Sequence, residues 1–210
     1  LTLPLVTKAD GTKFGKTESG TVWLDASRTS PYAFYQFWLS TADADVYRFL
    51  RYFTFLPVAE IDAIERADAE RAGRPEAQRI LAREVTQLVH GDEGLSAAMR
   101  ITEALFSGDA AALGETDLQQ LALDGLPSSQ LDRHDLPPTL TQLLAQAGLA
   151  AGKQIKDALA REAVLINGQP VSGGPTVTSE DALPAERALH GRFYLVRFGK
   201  KKYHLLIDGA

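Results

Sequence analysis

Apolar residues recur at helical spacing through the first two thirds of the chain. Ser30 followed by Pro31 predicts the start of a helix, because serine is a favoured N-cap and proline suits the first helical position. Two longer apolar stripes, over residues 77–89 and 95–106, have the period of amphipathic helices, and each ends at a glycine. The pattern predicts an all-α domain over residues 30–125.

The pattern changes towards the C-terminus. Residues 126–138 are rich in proline and serine and have no period, which is typical of a flexible linker. Two short helical stripes follow, and then Asn167-Gly168 between apolar residues predicts a tight hairpin. Residues 191–207 indicate two more strands. We therefore predict a mainly α fold with a small α+β C-terminal domain over residues 139–210.

Residues 1–29 combine an apolar run, a lysine-rich loop and a connector. The run "LTLPLV" at residues 1–6 is strand-like, and a strand does not stand alone. This predicts that the sequence is a piece of a longer protein. The chain has no cysteine and no apolar run of the roughly 18 residues that a membrane span needs, so we expect a cytoplasmic protein without a membrane partner.

Charge is distributed unevenly along the chain. The formal net charge is −5, from 22 Lys and Arg against 27 Asp and Glu. Residues 149–210 contain 9 basic and 6 acidic residues, a net of +3, and the preceding residues carry the remaining net of −8. Halves of opposite sign point to a nucleic-acid partner for the basic part.

The segment 32–55 contains ten of the 17 aromatic residues. One interpretation is a helix-packing core. The other is a platform on which nucleic-acid bases stack, which would need these rings on an exposed face.

One segment is a candidate for chemistry, "KADGTKFGKT" at residues 8–17. It is not a P-loop, because that motif needs glycine five positions before Gly15, where this chain has Asp10. What remains is a turn that presents Lys13 and Lys16, with Thr17 behind them. Such a turn is either a solvated loop or a phosphate clamp. The four histidines have no metal-ligand spacing, so no protein metal site is predicted.

The same segment resembles the second signature, the KMSKS loop, of class I aminoacyl-tRNA synthetases. The Lys-Phe-Gly-Lys-Thr form is similar to that of bacterial tyrosyl-tRNA synthetases. The resemblance continues through "SPYAFYQFWLSTADADVYRFLRYFTF", "LVHGDEGL", "RITEALFSG" and "INGQPV" and covers essentially the whole chain. It implies the C-terminal half of that family: the end of the catalytic domain (1–29), a helical anticodon-binding domain (30–125), and a ribosomal-S-four-like RNA-binding domain (139–210).

The resemblance implies tyrosine activation by ATP, with Mg²⁺ accompanying the nucleotide. Lys16 and Lys13 would then stabilise charge on the departing β- and γ-phosphates, and Gly15 would allow close backbone approach. Thr17 would either hydrogen-bond a phosphate or support the turn. The family's tyrosine pocket has no counterpart in this sequence, so we expect the chain by itself to lack aminoacylation activity.

The family also implies tRNA(Tyr) as a partner. Lysine clusters are often merely solubilising, but the charge asymmetry and the resemblance favour RNA contact. The candidate RNA-binding cations are Lys153, Lys156, Arg192, Arg197, Lys200, Lys201 and Lys202. Asp43 is a candidate for reading an anticodon guanine, with the N-cap of the following helix as its alternative role.

Two other functions are compatible with parts of the sequence. One is a stand-alone RNA-binding module in which the lysine loop has no catalytic role. The other is a small ribosome-associated protein, against which the long acidic helical domain weighs. The family dimerises mainly through its other half, so the resemblance implies a homodimeric parent enzyme and allows a monomeric fragment.

Overall fold

The computed structural model describes residues 5–17 and 20–209, with the side chains of Lys16 and Thr17 outside that description. The predicted strand at residues 1–6 lies mostly outside it. The chain divides into two compact units, Leu1–Met99 and Arg100–Ala210. The first unit is helical after two short hairpins, and the second combines helices with a five-stranded sheet. The predicted fold class is thereby confirmed.

The helix start predicted at Pro31 and the two predicted helical stripes are observed, and the first unit also contains a helix, Val58–Glu70, that was predicted only as part of an all-α region. Its elements are β1 Lys16–Thr17, β2 Gly20–Thr21, α1 Pro31–Leu39, α2 Asp43–Phe53, α3 Val58–Glu70 and α4 Ala77–Ser107, the last of which continues into the second unit. Ser30 caps α1 by accepting a 3.0 Å hydrogen bond from the Ala33 amide, as predicted. Helix α4 is interrupted at Gly91, whose φ of 68° and ψ of −176° favour glycine. The two apolar stripes are therefore separate helical segments.

The aromatic segment 32–55 forms the core of the first unit. Phe34, Trp38 and Phe49 are each at most 4% exposed, and they pack with aliphatic residues of α3 and α4. The core interpretation of the aromatic residues is confirmed for these rings. Tyr52 and Phe55 remain exposed to solvent.

A buried carboxylate fixes the start of α4. Asp68 accepts hydrogen bonds from the backbone amides of Glu76 at 2.8 Å and Ala77 at 3.0 Å and from the Tyr47 hydroxyl at 3.1 Å. Burial opposes ionisation of Asp68, but these hydrogen bonds outweigh it and hold its pKa below the ordinary value. Burial and the bond to Asp68 raise the pKa of Tyr47 to about 12.

The second unit is organised around the sheet. Its helices and strands are α5 Glu115–Gln120, β3 Ser128–Leu131, α6 Leu140–Gln146, α7 Gly152–Ala160, β4 Val164–Ile166, β5 Gln169–Pro170, α8 Ser179–Ala182, β6 Phe193–Phe198 and β7 Lys202–Asp208. The strand order is β3-β7-β6-β4-β5, and only the β3–β7 pair is parallel. Asn167 and Gly168, with φ of 51° and 81°, form the predicted tight turn between β4 and β5.

Part of the predicted linker is a strand. Residues 128–131 pair with β7, and Arg133 donates from Nε to Asp208 at 2.6 Å and from Nη1 to the Leu183 carbonyl at 2.7 Å. The expectation of a flexible linker is therefore wrong for residues 128–133. The sequence "SSQL" is too short and polar to show strand periodicity, and its partner strand lies at the far end of the chain.

Both faces of the β6–β7 hairpin are buried. Tyr194, Val196 and Leu206 on one face join the cluster formed by α6 and α7, and Leu195 and Leu205 are buried on the other face. The hairpin is thus a central layer of the second unit. Within the described residues, none of the helices has the length and apolar character needed to cross a membrane.

Candidate functional site

The Lys-Phe-Gly-Lys-Thr segment lies where two short hairpins meet. In the first hairpin Thr7 bridges Lys13, and the Lys8 amide donates to the Thr12 carbonyl at 2.8 Å. In the second, β1 pairs with β2, and the Gly15 carbonyl accepts from the Val22 amide at 3.3 Å. Gly15 has a φ of 84°, so a residue other than glycine would be strained at this junction.

Asp10 and Gly11 form the turn of the first hairpin. Asp10 Oδ1 accepts from the Thr12 hydroxyl at 2.6 Å and from its amide at 2.9 Å. These bonds lower the pKa of Asp10, and Gly11 takes a φ of 81°. The carboxylate therefore shapes the backbone of the turn.

Phe14 joins the segment to the helical core. Its ring centroid lies 4.9 Å from that of Phe49, 5.1 Å from Phe53, 5.3 Å from Trp38 and 5.6 Å from Phe37. The residue between the lysine pair is thus packed among aromatic rings of α1 and α2. Such contacts fix the position of the backbone that carries both lysines.

A buried acid and an arginine of α2 bind the first hairpin through hydrogen bonds to its backbone. Asp45 is 3% exposed and accepts from the Ala9 amide at 3.1 Å, and Arg48 donates to the Thr7 carbonyl at 2.7 Å. The two side chains also pair with each other. Sequence reasoning missed this support, although an acid and a base three residues apart on a helix were a visible signal.

The structure places the candidate catalytic residues on this framework. Lys13 is exposed, and its backbone forms the bridge to Thr7. Lys16 and Thr17 are the two residues of β1, and their side chains lie outside the described part of the chain. Their contact with phosphate remains a prediction. Among residues 5–17 and 20–209 no cluster of metal-ligating side chains occurs.

The C-terminal cations form a second candidate site at the β6–β7 turn. Lys200 and Lys201 are exposed in the turn, next to Gly199 with its φ of 62°. On α7, Lys153 and Lys156 are also exposed, while Ile155 between them is buried. These four lysines are available to a phosphate backbone.

The other three predicted cations have protein neighbours. Lys202 donates from its ammonium group to the Leu149 carbonyl. The guanidinium of Arg197 lies against Gly108, and that of Arg192 lies 5.7 Å from the ring centroid of Phe193. Arg192 and Lys202 are nevertheless exposed, so Arg197 is the half-buried member of the seven predicted cations.

Asp43 lies on the surface of the first unit. It is the first residue of α2, and Ala42 occupies the N-cap position, so the predicted N-cap role is wrong. The Asp43 carboxylate accepts a 2.6 Å hydrogen bond from the side-chain amide of Gln78. The carboxylate is exposed, and its proposed contact with an anticodon base stays a prediction.

Comparison with known proteins gives matches to both parts of the chain. A family model described as "tRNA synthetases class I (W and Y)" matches residues 1–107, just over half of the chain. The chain belongs to this family. A second model, described as "Tyrosine--tRNA ligase SYY-like C-terminal domain", matches residues 117–206. The predicted resemblance to the class I synthetases, and to the tyrosine enzymes among them, is confirmed.

Similar members of the family carry the name tyrosine--tRNA ligase. That of Aliivibrio fischeri strain MJ11 is 58% identical over 208 residues, and that of Aeromonas hydrophila subsp. hydrophila is 54% identical over 207 residues. The alignments cover 99% and 98% of this chain but 47% of each relative. The chain thus spans about half the length of the curated relatives it matches.

A solved structure of a class I synthetase is also similar in sequence. The C-terminally truncated mitochondrial tyrosyl-tRNA synthetase of Coccidioides posadasii is 39% identical, over 47% of this chain and 25% of that one. The TM-score is 0.40, so the family assignment depends on the sequence matches.

Proposed function

We propose that this chain supplies the ATP-phosphate loop and part of the tRNA-binding surface of a tyrosine–tRNA ligase. The enzyme would activate L-tyrosine with ATP to tyrosyl-adenylate, release pyrophosphate and transfer the tyrosine to tRNA(Tyr). The observation that carries the proposal is the Lys-Phe-Gly-Lys-Thr segment, which lies within the family match and is anchored by Phe14 between two hairpins.

The chemistry of activation explains the lysine pair. A tyrosine carboxylate oxygen attacks the α-phosphorus of ATP, and the bond from that phosphorus to the bridging oxygen breaks. Negative charge then accumulates on the β- and γ-phosphates, with Mg²⁺ as the expected counter-ion. Lys13 and Lys16 would stabilise that charge more strongly in the transition state than in the ground state. Gly15 would let the backbone approach the phosphates, and Thr17 would donate a hydrogen bond to them.

The basic side chains of the second unit support the RNA-binding part of the proposal. Lys200 and Lys201 at the hairpin turn, with Lys153 and Lys156 on α7, would contact the phosphate backbone of tRNA(Tyr). Asp43 in the helical unit would accept hydrogen bonds from an anticodon guanine. By family resemblance, the ligase would work in the cytoplasm as a homodimer.

The loop chemistry is testable in a ligase of full family length that contains this sequence. Replacing Lys13 and Lys16 together by alanine should slow tyrosyl-adenylate formation at least about a hundredfold, as removal of a transition-state charge contact does. Affinity for tRNA(Tyr) should stay the same, and Lys8→Ala in the same hairpin should leave both quantities unchanged. Pre-steady-state adenylate formation and tRNA titration measure them.

The alternative is an RNA-binding module whose lysine loop has no catalytic role. It predicts that the double variant forms adenylate at the rate of the unmodified enzyme. That result would overturn the catalytic part of the proposal and leave the RNA-binding part standing.

A further inference from the structure

Two cross-strand partners flank the lysine turn on one face of the β6–β7 hairpin. Arg197 of β6 lies directly opposite Tyr203 of β7, so both side chains project from the same face of the sheet. The next pair, Phe198 and Lys202, projects from the opposite face, where Phe198 packs on the cluster of α6 and α7. The base of the turn therefore presents a cation and a phenol away from that cluster.

Both side chains contact the end of α4, which belongs to the same unit. The Tyr203 hydroxyl donates a 2.7 Å hydrogen bond to the Leu105 carbonyl. The Arg197 guanidinium carbon lies 3.3 Å from the position that a Cβ on Gly108 would occupy, and its Nη1 lies closer still. Gly108 follows the last residue of α4 with a φ of 85°. The backbone conformation thus favours glycine there, and an added Cβ would displace the guanidinium.

Two further close approaches involve Gly108 and the residues that follow it. A Cβ on Gly168, in the β4–β5 turn, would lie 3.1 Å from the Gly108 carbonyl oxygen. His190 donates from Nε2 to the Leu113 carbonyl at 2.9 Å. Residues 105–113, here called the seat segment, therefore lie against the sheet and its turns at four points, two of which are hydrogen bonds.

The placement of Arg197 suits its charge. The carbonyl end of a helix carries partial negative charge, which an adjacent cation stabilises. Arg197 is half-buried, and its Nε is enclosed without a hydrogen-bond partner among the described residues. In contrast, Lys200 and Lys201 a few residues later are exposed.

We propose that Arg197 is a positioning residue for RNA binding. Its guanidinium fixes the seat segment against the base of the hairpin, and this contact sets the direction in which the turn presents Lys200 and Lys201. Arg197 itself makes no phosphate contact. The inference rests on the proposed binding of tRNA by this unit.

Salt dependence distinguishes a positioning residue from a phosphate contact. In tRNA(Tyr) titrations of the chain, Lys200→Gln with Lys201→Gln should reduce the slope of log K against log[salt] by roughly 0.7–0.9 per lost contact. Arg197→Gln should weaken binding about three- to tenfold at every salt concentration and leave the slope unchanged, because the redirected lysines still neutralise the same number of phosphates, in a less favourable geometry. Arg197→Lys, which keeps a cation at the helix end, should recover part of this affinity at the same slope.

A substitution on the seat segment itself tests the same contact without changing any charge. Gly108→Ala places a Cβ against the Arg197 guanidinium and should reproduce the affinity loss of Arg197→Gln with an unchanged slope. Gly148→Ala is the matched control, since Gly148 also follows a helix with a positive φ, of 73°, but has no neighbour within 4 Å of an added Cβ. It introduces comparable backbone strain without the collision.

Hydrogen exchange gives a readout that needs no RNA. Amides of the seat segment, such as Gly108 bonded to Ala104 and Leu113 bonded to Ala110, should exchange about tenfold faster in Arg197→Gln and Gly108→Ala than in Gly148→Ala. A reduced slope in Arg197→Gln with unchanged exchange would make Arg197 a phosphate contact and overturn the inference. Absence of tRNA binding by the unmodified chain would instead refute the proposed function.

Discussion

At the scale of single residues, a few buried polar side chains decide where elements begin and how they connect. Asp68 accepts two backbone amides at the start of α4 as well as the Tyr47 hydroxyl. Arg133 ties the segment after β3 to Asp208 and to the Leu183 carbonyl. Removing either side chain would leave its partners buried without hydrogen bonds, which costs more than the bonds themselves contribute.

Asp68→Ala should lower the free energy of unfolding by about 1–3 kcal/mol, because amides of α4 and the Tyr47 hydroxyl lose their acceptor. Urea unfolding followed by the fluorescence of the buried Trp38 measures the change. The control is Glu70→Ala, at the exposed end of α3, the helix that also contains Asp68. It should change the free energy of unfolding by less than about 0.5 kcal/mol. Equal effects of the two substitutions would show that Asp68 does not cap α4.

His204 makes the sheet sensitive to acid. It is buried, lies 2.9 Å from the Ser129 hydroxyl, and its pKa is lowered by burial and then by the nearby Lys202 charge. As the pH falls through about 6.5, His204 therefore binds a proton in the unfolded chain before it does so in the folded chain. The free energy of unfolding declines from that pH towards the lower pKa of the folded state. Above about pH 6.5 both states are neutral at this residue and the stabilisation is complete.

The test is hydrogen exchange of the Leu205 and Gly209 amides, which bond to Pro127 and Leu131 across the β3–β7 pair. Between about pH 7.5 and pH 5, the opening free energy of these amides should fall less in His204→Gln than in the unmodified chain. His90, whose pKa burial also lowers, remains in both proteins and serves as the internal reference. The same decline in both proteins would contradict the role given to His204.

Sequence reasoning succeeded for residues whose partners are local. Ser30 caps its own helix, and Asn167-Gly168 closes its own turn. It missed Asp45, Arg48 and Arg133, because the groups that they bind lie far away in sequence. A helical or turn pattern carries no information on such partners.

At the scale of elements, the two N-terminal hairpins depend on the helices beneath them. A two-stranded hairpin is marginally stable by itself in water, and β1 and β2 contain two residues each. Phe14 among the rings of α1 and α2, with Asp45 and Arg48 at the other hairpin, supplies the missing stabilisation. The position of the lysine segment is thus determined by α2.

Phe14→Ala should destabilise the first unit by about 1–3 kcal/mol, less than a fully buried Phe→Ala because the ring is partly exposed. The amides of Phe14 and Val22, which bond to Val6 and Gly15, should lose protection from hydrogen exchange. Phe55→Ala is the matched control, since that ring is 88% exposed. If both variants have the stability and exchange of the unmodified chain, Phe14 does not anchor the segment.

Element prediction followed the length of the periodic signal. Helices α1 and α4 and the hairpins at 164–170 and 193–208 carry enough period or turn chemistry to be recognised, whereas α3 was predicted only as part of an all-α region. Strand β3 is only four residues long and shows no alternation of polar and apolar positions. It is a strand because it pairs with β7. Pairing with a distant strand therefore determined the structure of residues 128–131, which their composition had assigned to a linker.

At the scale of the whole molecule, the two units differ in charge and fold. The first unit contains the lysine segment on an acidic helical body, and the second presents exposed lysines on a sheet and on α7. Sequence reasoning found both basic regions but not that Arg197, unlike the other C-terminal candidate cations, is half-buried. That distinction requires the pairing of β6 with β7 and the contact of Arg197 with Gly108.

The central claim is that these surfaces recognise tRNA(Tyr). The most direct measurement is titration of the chain, at one fixed salt concentration, with tRNA(Tyr) and with a tRNA that differs in anticodon and variable arm. Specific recognition predicts binding of tRNA(Tyr) at least about tenfold tighter, beyond the sequence-independent attraction of lysines for phosphate. Equal affinity for the two tRNAs would contradict the claim and reduce the interaction to electrostatics.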